Sequence, residues 1–154
     1  MLRKSLVLFT ALFLLAASTA CSKKPLTGAA LQGESTLSML RALSDAYETK
    51  NTAAFMSRID ERFKDRDSLE KELERIFKSY QAISFSVQPL KMLVVVEQRG
   101  PIRTTFNWHG EWQTAGGRTV KDGGRVTFEL DPATNRLIAI DGRNPFLLQK
   151  SAVK

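Results

Sequence analysis

The feature that most constrains this chain is a change of hydrophobic period at Tyr80. Before it, apolar residues recur every three or four positions: Leu37, Leu40, Leu43, Ala46 and Tyr47, then Leu69, Leu73, Ile76, Phe77 and Tyr80. That spacing places each set on one face of a helix. After it, Ile83, Phe85 and Val87 alternate with Ser84, Ser86 and Gln88. A period of two belongs to a strand with one buried face. A chain that runs helices first and strands afterwards predicts an α+β fold, with helices packed on an antiparallel sheet.

The pattern predicts a first helix over 35–49, capped by Ser35 or Thr36 and broken at Lys50-Asn51-Thr52. A short helix follows over 52–57, with Ile59 and Phe63 packed beneath the loop that leaves it. Asp67-Ser68-Leu69-Glu70 has the form of a capping box, with Asp67 as the cap of a third helix. Pro89 is expected to interrupt the first strand, so that 90–97 forms a second, closed by a turn at Gly100-Pro101. Over 102–113, Ile102, Thr104, Phe106, Trp108, Gly110 and Trp112 share one face. Arg103, Thr105, Asn107, His109, Glu111 and Gln113 share the other. A turn at Ala115-Gly116-Gly117 leads to a strand over 119–130, in which Gly123-Gly124 reads as a bulge and a sharp bend. The last strand covers 137–141. The long strands and mid-strand glycines predict a strongly curved sheet wrapped around the helices.

The N-terminus has a separate logic. Arg3 and Lys4 precede an apolar run over 6–17, then Ser18-Thr19-Ala20 are small, and Cys21 follows. A charged start, an apolar middle and a small-residue cleavage site make a secretory signal. The run is too short for an ordinary spanning helix; the other reading, an uncleaved anchor, ignores the placement of Cys21. With the cysteine, the segment resembles a bacterial lipoprotein signal. That resemblance implies cleavage before Cys21, lipid on its thiol, and several acyl chains, which anchor firmly where one does not. Ser22 in place of an aspartate then favours the outer membrane, with the domain facing the periplasm. The expected organisation is a signal peptide over 1–20, the lipidated cysteine and a flexible tether over 21–34, one domain over 35–148 and a tail over 149–154. Removing 1–20 leaves 134 of the 154 residues, enough for one domain with a core. Cys21 is the only cysteine, so no internal disulfide forms. Without Arg3 and Lys4 the formal charge of +7 becomes +5. The excess is spread along the chain and reads as a solvated surface, and no motif points to nucleic acid.

Over 35–146 the element order resembles the nuclear transport factor 2-like superfamily, also called the cystatin-like or SnoaL-like cone. The resemblance rests on the helix-to-strand passage Phe77-Lys78-Ser79-Tyr80-Gln81-Ala82-Ile83 and on the strand carrying Phe106, Trp108 and Trp112. It rests also on an ending, Leu137-Ile138-Ala139-Ile140-Asp141-Gly142-Arg143-Asn144-Pro145-Phe146. It implies helices held in a curved sheet, and a fold that hosts enzymes, binding domains and assembly modules alike.

Candidate residues follow from the faces. Tyr47, Phe55, Phe106, Trp108, Trp112 and Phe128, with Phe85 and Met92, are expected to fill the core or line an apolar pocket in the cone. Arg103, Asn107, His109 and Glu111 are the candidates for a surface interaction, a homodimer through the sheet face included. His109, the only histidine, could act as a base with Asp60, but the alternation puts it outside the sheet. Asp60 and Glu61 sit between the short helix and the third helix. The resemblance implies that isomerases and dehydratases of the superfamily place such acids inside the cone, but no residue set here matches their catalytic pattern one for one. Tyr47 and Tyr80 lie on apolar helix faces, where packing explains them. No catalytic set, metal cluster or cofactor motif is expected. The sequence ranks three functions: binding of an envelope protein or small apolar ligand, then a structural self-associating role, then an enzyme with an acid in the cone.

Overall fold

The structure, a computed structural model, describes residues 28–96 and 100–148. The expected signal peptide over 1–20, Cys21 and the tail over 149–154 lie outside the described residues, as does the side chain of Met92. Three helices, α1 (Gly28–Glu48), α2 (Thr52–Met56) and α3 (Arg66–Ser79), precede four strands. These are β1 (Ala82–Val96), β2 (Ile102–Gln113), β3 (Thr119–Leu130) and β4 (Leu137–Gly142). They form one curved antiparallel sheet in the order β1-β2-β3-β4. The α+β expectation therefore holds. The α1 helix packs on β1 and α2, and α2 packs on α3.

The alternation in β2 translates directly into burial. Ile102, Thr104, Phe106, Trp108, Gly110 and Trp112 are buried, and the residues between them are exposed or half-buried. The buried set meets Leu40, Leu43 and Tyr47 of α1, Phe55 of α2 and Leu73 and Ile76 of α3 in one core. Each such side chain contributes roughly 1.5–3 kcal/mol when fully buried. An exposed ion pair such as Arg75–Glu72 on α3 contributes about 0–1 kcal/mol, so the core sets the stability.

Four expectations need correction. The first helix begins at Gly28, not near Ser35, so Ser35 and Thr36 are interior residues and 28–34 is helix rather than tether. Ala29, Ala30, Leu31 and Gln32 are good helix formers, and extending an existing helix avoids a new nucleation step. Gly33 has open space around it. The third helix begins at Arg66 with Asp65 as its cap, in a left-handed conformation and without a side-chain cap bond. Asp67 falls in the first turn, where its charge still suits the positive end of the helix.

Pro89 does not end the first strand. Pairing runs to Gln88↔Asn107 and resumes at Leu93↔Thr105, so four residues of β1 span one of β2. The bulge absorbs a residue that has no N–H to give the ladder. Gly123-Gly124, in contrast, forms no bulge: Trp108↔Gly124 and His109↔Gly123 are in unbroken register. A Cβ at Gly123 would lie 3.0 Å from the Trp108 carbonyl oxygen, so a close approach explains that glycine. The real irregularity lies between β3 and β4, where Leu130 pairs with Leu137 and Glu129 with Ala139, leaving Ile138 extra.

Candidate functional site

The cone interior is the first place to look for a site, and aromatic side chains occupy it. Tyr47 projects from α1 among Phe55, Phe77, Phe85 and Phe146, at centroid distances of 5.2 to 6.1 Å. Its hydroxyl donates to the Phe146 carbonyl at 3.0 Å and accepts from the Trp112 indole N–H at 2.9 Å. Burial pushes the Tyr47 hydroxyl pKa well above its ordinary value, and the Trp112 hydrogen bond opposes this in part. Phe106 meets Phe128 edge-on at 4.8 Å, and Phe85 stacks on Trp108 at 5.9 Å. Arg143 lies over the Trp108 ring at 5.7 Å. Tyr47, Phe55, Phe106, Trp108, Trp112 and Phe128 are each at most 3 % exposed. Of the two readings, core filling or pocket lining, the burial of these six favours the core: they pack against one another and line none of the clefts described below. Large flat rings from α1, α2 and the sheet leave little unfilled space between them.

The acids are equally committed. Asp60 is 8 % exposed and accepts from Arg62 Nε at 2.7 Å and from the Arg62 backbone N–H at 3.0 Å. The hydrogen bonds to Arg62 hold the Asp60 carboxyl below the usual carboxylate range. Arg62 also pairs with Asp131, whose pKa falls to about 2 through that hydrogen bond and through backbone N–H donors in its own turn. The arginine thus staples the loop after α2 to the β3–β4 turn. His109 is 47 % exposed and its partner is Glu111 at 3.3 Å, not Asp60, so a His109–Asp60 pair does not form. Glu111 also accepts from Lys121 at 2.7 Å, and these donors lower its pKa. Glu61 is exposed and Tyr80 half-buried at the end of α3. Among the described residues, no three His, Cys, Asp or Glu side chains come together as metal ligands.

The outer face of the sheet carries Arg103, Asn107, His109 and Glu111 as the alternation predicts. Arg103 pairs with Glu129 at 2.9 Å, and Thr105 shares a hydrogen bond with Thr127 at 2.7 Å. These contacts run between β2 and β3 and tie the two strands together on the outer face.

Openings lie at the two sheet edges instead. Between α1 and edge strand β1, a groove of about 270 Å³ is lined by Leu37, Leu40, Phe85 and Val87. There Glu48 Oε1 accepts from the Phe85 N–H at 2.6 Å and so occupies part of the strand edge. Between the start of α3 and edge strand β4, a cleft of about 440 Å³ is lined by Phe63, Leu69, Ile138, Ile140 and Leu147, with Lys64 and Asp65 beside them. Sequence reasoning missed this cleft. Its signal was available: Ile138 and Ile140 are apolar at period two in a terminal strand that has no further strand to cover them.

No family model matches this chain, and no curated protein does. Solved structures do resemble it. A protein assigned as a scytalone dehydratase in Novosphingobium aromaticivorans is 10 % identical with a TM-score of 0.64, covering 71 % of this chain and 81 % of that one. The BvnE pinacolase of Penicillium brevicompactum is 10 % identical with a TM-score of 0.57, covering 70 % and 83 %. An NTF2-like protein of unknown function from Exiguobacterium is 13 % identical with a TM-score of 0.51, covering 66 % and 93 %. At these identities the likeness is one of fold. The described domain has the NTF2-like, or SnoaL-like, cone fold. Among the described residues, no helix is long and apolar enough to cross a membrane.

Proposed function

We propose that this chain is a bacterial envelope lipoprotein, held to the outer membrane by lipid on Cys21, whose NTF2-like domain is a non-catalytic binding module. Its ligand is a protein partner of the envelope or a small apolar molecule. One observation carries the reading: inside the cone Trp112 is spent on Tyr47 and Tyr47 on the Phe146 carbonyl, and the buried β2 groups without a partner, the Trp108 indole N–H and the Thr104 hydroxyl, are neither acids nor bases at neutral pH. An isomerase or dehydratase needs an acid or base poised toward its substrate. Here the one histidine stands on the outer sheet face and Asp60 is bound by Arg62. The cleft between α3 and β4 offers an apolar surface for the ligand or for an apolar side chain of the partner.

The test is site-specific photocrosslinking in intact cells, with the crosslinker at Ile140 or at His109. The reading expects one discrete adduct from Ile140 and none from His109. Failure of both positions to capture anything, repeated with apolar small-molecule probes, would contradict it. Mass spectrometry of the mature chain reads the anchor separately: the N-terminal residue should be an acylated Cys21, and an unmodified cysteine would remove the lipoprotein part.

A further inference from the structure

A third cleft, of about 550 Å³, lies where α1, the end of α2 and the β3–β4 turn meet, and its chemistry differs from the other two. Ser35 and Ser38 of α1, Ser57 and Arg58 after α2, and Thr134 and Arg136 of the turn line it. No carboxylate lines it. Its two arginines are set side by side by the backbone. Ile59 and Leu137 form a parallel bridge, so the residues before them, Arg58 and Arg136, are neighbours across it. The Leu137 N–H donates to the Arg58 carbonyl at 2.9 Å, and the Asp60 N–H to the Leu137 carbonyl at 2.9 Å, which fixes the bridge on both sides. Asn135 then ties the turn to α1 by donating to the Ser35 carbonyl at 2.8 Å and to its hydroxyl at 2.9 Å.

Like charges placed opposite each other on paired strands destabilise them. Six cations, Arg62, Arg75, Lys78, Arg103, Lys121 and Arg143, each pair with a carboxylate. Others among the described residues, such as Arg41, Lys64 and Lys71, do not, but they lack a second arginine set beside them across a backbone bridge. Among the described residues, Arg58 and Arg136 pair with none. An anion between them removes the repulsion and satisfies both. Guanidinium groups present planar forks that match phosphate oxygens, and side-chain hydroxyls supply further donors. We propose that this cleft binds a phosphate group through Arg58 and Arg136. The phosphate comes from a membrane headgroup or from a soluble phosphate. The first source rests on the lipid anchor proposed above, because α1 lines the cleft and the chain upstream of it leads to Cys21.

The test uses the full mature chain in an uncharged maltoside detergent, with calorimetric titration of inorganic phosphate and of dihexanoylphosphatidylglycerol. At least one should bind, and R58A/R136A should weaken that binding on the order of ten-fold or more. Tighter binding of the lipid assigns a headgroup, and tighter binding of phosphate assigns a soluble source; both support the site. Because both side chains are exposed and repel each other, the double variant should unfold no earlier than the parent on heating. Should it fail to fold, R58K/R136K keeps the charges but loses the forks, and weakened binding with an unchanged near-ultraviolet dichroism spectrum serves the same purpose. Arg75→Ala is the control and should bind as the parent does. Absence of binding by either probe, or equal binding by the double variant, would overturn the proposal. The titration is made in detergent and reads nothing from acylation, so its failure is distinct from failure of the anchor.

Discussion

The two faces of β2 are built from alternate residues of one strand, and they differ in kind. Inward, Phe106, Trp108 and Trp112 are sealed among aromatic rings, with the Trp112 indole bonded to Tyr47. Outward, Arg103, His109 and Glu111 remain in contact with water and pair with neighbours on their own sheet. Burial makes the inner face the source of stability and solvent makes the outer face tolerant. Neither face has the form of an active site, and the apolar openings lie at the edges of the sheet.

The largest break in this contrast is Trp112→Ala, which empties the largest fully buried side chain and leaves Tyr47 without its donor. Its expected cost is about 3–5 kcal/mol, read by chemical denaturation. Gly110→Ala comes next: a Cβ there would run into the Trp112 indole, and the overpacking should cost about 1–3 kcal/mol by the same measurement. Tyr47→Phe leaves the Trp112 N–H and the Phe146 carbonyl unpaired and should cost a similar amount, about 1–3 kcal/mol. It should also change the alkaline limb. The folded chain holds the Tyr47 proton above the ordinary value of 10.0, whereas the unfolded chain releases it near there. Stability is thus full below pH 10 and declines as the pH rises beyond it, a decline the phenylalanine variant should lack.

Arg62→Ala sharpens the contrast at the acid end. Asp60 and Asp131 have folded pKa values below their ordinary 3.8, Asp131 near 2. Their contribution is complete above pH 4 and is lost as the pH falls toward 2. Without Arg62 the acid-unfolding midpoint should move to higher pH, as followed by circular dichroism. The smallest effect is expected on the outer face, where His109→Ala should leave the denaturation midpoint within error.

Much of the fold was legible because burial has a period. The inner and outer residues of β2, the apolar face of α3 and the order of helices before strands all follow from spacing alone. What escaped depends on contacts between distant segments. Pro89 signals a strand end, yet a bulge carries β1 past it. Gly123-Gly124 suggests a bulge, yet the register is unbroken and Gly123 serves the close approach of the Trp108 carbonyl. The start of α1 was hidden because Gly28 and Gly33 weaken a helix that propagation still extends. In the sites, the aromatic residues were found and their role divided correctly between core and pocket only once the rings were seen to fill the space. Arg58 and Arg136 carried no signal at all, since only the Ile59–Leu137 bridge makes them neighbours.

The most direct test of a filled cone is tryptophan quenching, because Trp108 and Trp112 are the only two tryptophans and both face inward. The native chain should show blue-shifted emission that iodide does not quench, with full quenching after unfolding in denaturant. Strong iodide quenching of the native protein, or a blue shift on adding an apolar ligand, would mean that the cone is open and that its interior is a site.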